Sequence, residues 1–134
     1  MEVTSKLFDL VIYGEAQDEI IYDLITENFL NEERFARSYA RGKFRFKRWG
    51  RFKIRQNLKL KKVSAYCIKK AMEEIDEEEY YGTLYDLLEK KTKTYKAPNF
   101  FLKKTKAGKF AITKGYESAL VWEILREFEE KDFE

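Results

Sequence analysis

Slid along itself by 53 residues, this 134-residue sequence places Val63 on Tyr116, Cys67 on Leu120, Ile68 on Val121, Ala71 on Ile124 and Met72 on Leu125. A shift of 47 brings Ile20, Ile21, Leu24 and Ile25 onto the same four positions, Cys67, Ile68, Ala71 and Met72. A register near 50 residues is long enough for three helices, and a unit that recurs at that spacing buries its apolar face against the next copy. The chain is therefore expected to be all-α, built from tandem three-helix repeats.

The punctuation agrees. One proline, Pro98, and six glycines leave long stretches unbroken, and the apolar residues recur at three and four rather than at two. Cys67, Ile68, Ala71, Met72 and Ile75 predict one face of a helix opened by Ser64 as N-cap. Ser118 is expected to play a related part before Leu120, Val121, Ile124, Leu125 and Phe128. Phe35, Ala36, Tyr39 and Ala40 predict the buried face of an earlier helix, Ile54 and Leu58 that of the next, with Trp49 and Gly50 at the turn between them. A helix carrying Tyr80, Tyr81, Leu84, Leu87 and Leu88 is followed by a linker around Thr92 to Asn99 and a helix with Ala107, Phe110 and Ala111. Gly115 is expected to close that helix in the left-handed conformation. The repeats so read are residues 1–30, 31–76 and 77–134. The opening copy holds two helices, roughly Thr4 to Tyr13 and Ala16 to Asn28, so the first repeat is expected to be incomplete.

Charge is distributed unevenly over this frame. Residues 34–62 hold thirteen Lys and Arg and no Asp or Glu, and removing those thirteen from a net charge of +3 leaves the remainder at −10. Thirteen like charges repel one another and steer the segment towards an anionic partner. The candidate contacts are Arg37, Arg41, Lys43, Arg45, Lys47, Arg48, Trp49, Arg51, Lys53, Arg55 and Lys59, those flanking the turn at Gly50 being the better phosphate ligands. Arg34, Arg37 and Arg41 recur at three and four and form one stripe. Phe44, Phe46, Trp49 and Phe52 suit either a base-stacking platform or repeat packing. Packing is preferred for the set, with Trp49 expected to be partly exposed. The acidic run Glu73 to Glu79 reads first as a solvated helix junction and second as an internal competitor for the basic stripe.

Much familiar chemistry is missing. With no histidine and one cysteine, the usual zinc and nucleophile–base sets cannot be assembled, and no glycine-rich phosphate loop is present. No enzyme activity and no cofactor are expected. Cys67 is expected to be a small buried hydrophobe. A lone cysteine, no secretory leader and no apolar run near the roughly 18 residues of a membrane span predict a cytoplasmic protein, and a monomer is expected.

The run Phe29-Leu30-Asn31-Glu32-Glu33-Arg34-Phe35-Ala36-Arg37-Ser38-Tyr39 resembles the "(Y/F)LDDxRFAxxY" box of the RecX family, the small bacterial regulators of the RecA recombinase. Gly50, followed by Ile54-Arg55-Gln56-Asn57-Leu58-Lys59-Leu60-Lys61-Lys62-Val63, is similar to that family's "GxxxIxxxLxxKGI" segment, with Lys62 where the family commonly has glycine. The resemblance implies an elongated, curved array of three-helix repeats that lodges in the groove of the RecA filament on single-stranded DNA and restrains ATP hydrolysis and strand exchange. Duplex DNA is a further possible partner. A stand-alone nucleic-acid-binding helical module, or a scaffold for another acidic protein, would also use such a basic block.

Overall fold

A computed structural model describes residues 15–134, so the helix expected from Thr4 to Tyr13 lies outside the described residues. These form six α-helices and a short terminal 3-10 turn, with no strand among them. The helices are α1 (Glu15–Lys47), α2 (Arg51–Leu60), α3 (Ala65–Met72), α4 (Glu77–Thr94), α5 (Phe100–Thr113) and α6 (Ser118–Glu127), followed by Glu130–Phe133. The all-α repeat expected from the 53-residue register is present. Ile68, Val121 and Leu125 are buried and Met72 is half-buried against the same core.

Helix α1 is one unbroken element of 33 residues. No proline interrupts it, and the stretch from Ala16 to Asn28 runs without a turn into the helix that carries Phe35 and Ala36. It packs most closely on α3. The faces these two helices bury are small, Ala36 and Ala40 on one and Cys67 and Ala71 on the other. Small side chains let the backbones approach, and Phe44 closes the end of the row. Phe35 departs from expectation: it is 46 % exposed, because the buried row runs through positions 36, 40 and 44 and places it on the neighbouring face. Leu24 is also exposed and Ile25 half-buried.

Local chemistry sets the ends. The Ser64 hydroxyl accepts the Cys67 N–H at 3.2 Å, as the sequence predicts. The Ser64 N–H in turn donates to the Glu32 carboxylate, which ties α1 to the start of α3. Asp76 and Asn99 cap α4 and α5 through the N–H groups of Glu79 and Leu102. Glu117, not Ser118, occupies the N-cap of α6 and makes no side-chain cap bond there. Helix α4 continues past Thr92, which is fully buried on its Tyr80, Leu84 and Leu88 face, and the linker begins only at Tyr95.

The register reappears in the backbone. Val63 N–H donates to Leu58 C=O at 3.1 Å and Tyr116 N–H to Ala111 C=O at 3.2 Å, each just after a left-handed residue, Lys62 at φ 62° and Gly115 at φ 103°. Both helices thus end in the same wound-back turn. Lysine adopts at 62 the conformation that glycine adopts 53 residues later, so the departure from the family pattern alters the residue and not the turn.

Candidate nucleic-acid interface

The joint between the repeats decides where the basic side chains go. Helix α1 ends in a left-handed residue, Arg48 at φ 56°, and the Trp49 N–H folds back onto Lys43 C=O at 3.1 Å. Gly50 then lies against Gly115: its N–H donates to Lys114 C=O at 2.8 Å, and the Phe52 N–H donates to Gly115 C=O at 3.0 Å. A Cβ on Gly50 would come within 2.2 Å of the Gly115 carbonyl carbon. No other residue permits that approach.

Arg51 follows at once and is held on three sides. Its guanidinium lies 4.1 Å from the Tyr80 ring centre, pairs with Glu117 at 2.6 Å and reaches Glu77 at 2.7 Å. The Tyr80 hydroxyl accepts the Arg51 N–H at 3.0 Å and donates to Glu117, while the Tyr116 hydroxyl donates to Arg48 C=O at 2.9 Å. Burial opposes the charge on Arg51, yet Glu117 and Glu77 together raise its pKa above the ordinary arginine value. Burial, with the bond to Glu117, pushes the Tyr80 phenol up strongly. Burial likewise lifts Tyr116 to about 12. This cluster holds the joint together.

Three more arginines have internal partners. Arg37 lies within 3.8 Å of Glu33, 3.5 Å of Glu73 and 3.6 Å of Glu74. Arg41 pairs with Glu74 at 3.0 Å and Arg45 with Glu79 at 3.8 Å. The acidic run therefore lies along the arginine stripe of α1, the arrangement an internal competitor requires.

The remaining candidates fall into three places. Lys43 Nζ sits between two rings, 5.5 Å from the Tyr39 centre and 4.8 Å from that of Trp49. Lys53 Nζ is 4.5 Å from the same indole, and Lys61 Nζ is 5.7 Å from Tyr39. Cations and aromatics thus alternate in one row through Lys61, Tyr39, Lys43, Trp49 and Lys53. Trp49 is half-buried in that row, as expected; Tyr39, expected on the buried face, is half-buried and joins the row, as does Lys61, and the four-residue step from Tyr39 to Lys43 on one helix was the available signal for a contact role. Lys47 and Arg48 turn towards α4 and α5. Arg55 and Lys59 line a shallow groove with Lys69, over Ile68 and Met72, and Arg55 Nε is buried there without a hydrogen-bond partner. The aromatic set divides too. Phe44 is core, whereas Phe46 and Phe52 are 86 % and 57 % exposed, because positions 46 and 52 lie off the faces defined by Phe44 and Ile54. Packing explains the first and not the other two.

Among the described residues no group of three or more His, Cys, Asp or Glu is placed to hold a metal ion, and no helix is long and apolar enough to cross a membrane. Cys67 is buried, and burial raises its thiol pKa.

Tandem three-helix units, joined through their turns and carrying a basic, aromatic surface beside the joint, define a helical-repeat protein suited to an anionic partner. Residues 31–72 match the second three-helix domain of RecX and residues 77–125 the third. Together the matches take in more than half of the chain, which belongs to the RecX family. Among curated relatives, the "Regulatory protein RecX" of Bacillus mycoides (strain KBAB4) is 29 % identical over 117 residues, or 87 % of this chain and 43 % of the relative. That of Bacillus cereus (strain B4264) is 28 % identical over the same shares, and that of Bacillus cytotoxicus 29 % identical over 85 % of this chain and 43 % of the relative. The chain spans less than half the length of these relatives. No solved structure matches.

Proposed function

We propose that this protein is a RecX-type modulator that binds the RecA filament on single-stranded DNA and restrains its ATP hydrolysis and strand exchange, acting by occupancy and without chemistry of its own. Membership of the RecX family carries the reading. The row Lys61, Tyr39, Lys43, Trp49 and Lys53 supports it, since cations interleaved with rings suit a surface that offers both phosphates and bases. Protein contacts added to the phosphate term would make the filament a better partner than the naked strand. A cytoplasmic monomer would meet that filament directly.

The test measures RecA-dependent ATP hydrolysis and binding to bare single-stranded DNA over one range of protein concentration. Inhibition at concentrations that leave the bare strand mostly unbound is the expected result. Inhibition that only tracks the coating of free DNA would favour instead a stand-alone nucleic-acid-binding module, a reading to which the exposed rings of Phe46 and Phe52 lend weight.

A further inference from the structure

The end of α1 and the facing sides of α4 and α5 enclose a cleft of about 410 Å³, within the roughly 300–1,000 Å³ range of small-molecule sites. Five cations from three elements converge on it, Lys47, Arg48, Lys90, Lys91 and Lys114, against one carboxylate, Asp86. Among the described residues none of the five has an ion-pair partner. Lys114 Nζ reaches the Lys47 carbonyl at 3.4 Å and lies 5.9 Å from the Phe110 ring centre, and Lys91 Nζ lies 4.3 Å from the same centre. Phe46, with its ring almost wholly in solvent, forms one wall, and Leu87 and Phe110 form the apolar floor.

We propose that this cleft holds one unstacked nucleotide of a single strand. Convergent unpaired cations call for phosphate, and the exposed ring of Phe46 with the apolar floor calls for a planar base. Asp86 supplies an acceptor for a base N–H. A nucleotide within a strand is favoured over a free one because Lys47 and Arg48 lead directly from the cleft to Trp49, where the row of cations and rings carries the backbone onward. The inference rests on the reading that this protein meets single-stranded DNA, and it adds a base-holding site in the third repeat.

The experiment uses the full chain, bare oligothymidylate and no recombinase. One thymine is replaced by 5-bromouracil for photo-cross-linking, and the linked peptide is identified by mass spectrometry. Cross-linking to Phe46 or Phe110 is expected, together with a roughly tenfold loss of affinity in Phe46→Ala and a comparable loss in Lys90→Glu. Lys131→Glu should bind as the unaltered protein does. Phe46 and Lys90 are exposed, and unchanged helicity in both variants keeps the result interpretable. Cross-links confined to Trp49 or Phe52, with Phe46→Ala binding normally, would overturn the cleft while leaving the basic row in place. Competition by free dTMP as strong as that by the oligonucleotide would overturn the choice of a strand. Normal inhibition of RecA with no binding to bare DNA would overturn the cleft but not the proposed function.

Discussion

At the scale of single residues, equivalent positions 62 and 115 show what a left-handed turn costs. Lys62 holds φ 62° with a side chain, and Gly115 holds φ 103° with Lys53 so close that a Cβ would lie 2.4 Å from its Cβ. Lys62→Gly should therefore stabilise by a net of about 0.5 kcal/mol, relief of left-handed strain exceeding glycine's entropy cost. Gly115→Ala should destabilise by about 3 kcal/mol through strain and overlap together. Denaturant melts of the two variants measure both, and an equal effect in the two would deny that position 115 is also a contact. Tyr80 and Tyr116 add a dependence on pH. Their raised pKa values mean that the folded protein holds these two protons more tightly, so the associated stability is complete below about 10, the unfolded phenol value. It is lost as pH rises towards the 12 or so of Tyr116. An absorbance titration compared with those of Tyr80→Phe and Tyr116→Phe should show these two phenols keeping their protons well above 10 until the fold opens; ionisation of both near 10 in a still-helical protein would refute the buried-phenol description.

Between elements, the link of greatest functional consequence is the acidic run against the stripe of α1. Its pairs are partly exposed, and such pairs contribute about 0.2–1 kcal/mol each at most. Glu73→Gln with Glu74→Gln should accordingly cost about 1–2 kcal/mol of stability while releasing Arg41 to an outside partner and leaving Arg37 only its pair with Glu33. Binding to single-stranded DNA should tighten, and its logarithmic salt slope should steepen by about 0.7 for each arginine recruited. Binding titrations from low to moderate salt read this directly, and an unchanged slope would show that the arginines stay out of reach. What the sequence disclosed about these elements follows the range of the interactions. The cap at Ser64 and the turn at Gly115 are made by neighbours three to five residues away and were legible. The unbroken α1 was not, because Asn31, Glu32 and Glu33 look like a helix start, whereas Glu32 serves an N–H 32 residues further on. The sorting of arginines was equally hidden, since Arg41 meets Glu74 across 33 residues and Arg51 meets Glu117 across 66. A charge run discloses its sign, not which members are already paired.

For the molecule as a whole, two kinds of cation follow, and mutation should separate them. Lys43→Glu with Lys53→Glu reverses charges that face only rings and solvent; it should weaken DNA and filament binding at least tenfold with little loss of stability, and lower the salt slope. Arg51→Glu places a third carboxylate beside Glu77 and Glu117 and should destabilise by about 3 kcal/mol. Thermal melts run beside binding assays make the distinction, with Lys131→Glu as the neutral reference. Equal melting loss in both would mean that the row through Lys43 and Trp49 is itself part of the joint. The joint has a property that no side chain shares. Two main-chain hydrogen bonds, from the amides of Gly50 and Phe52, cross from one repeat to the next and belong to neither. Their protons can exchange with deuterated solvent when the repeats part even while every helix stays wound, so this pair of amides is a built-in clock for separation of the two halves, readable on the free protein and again on the bound one.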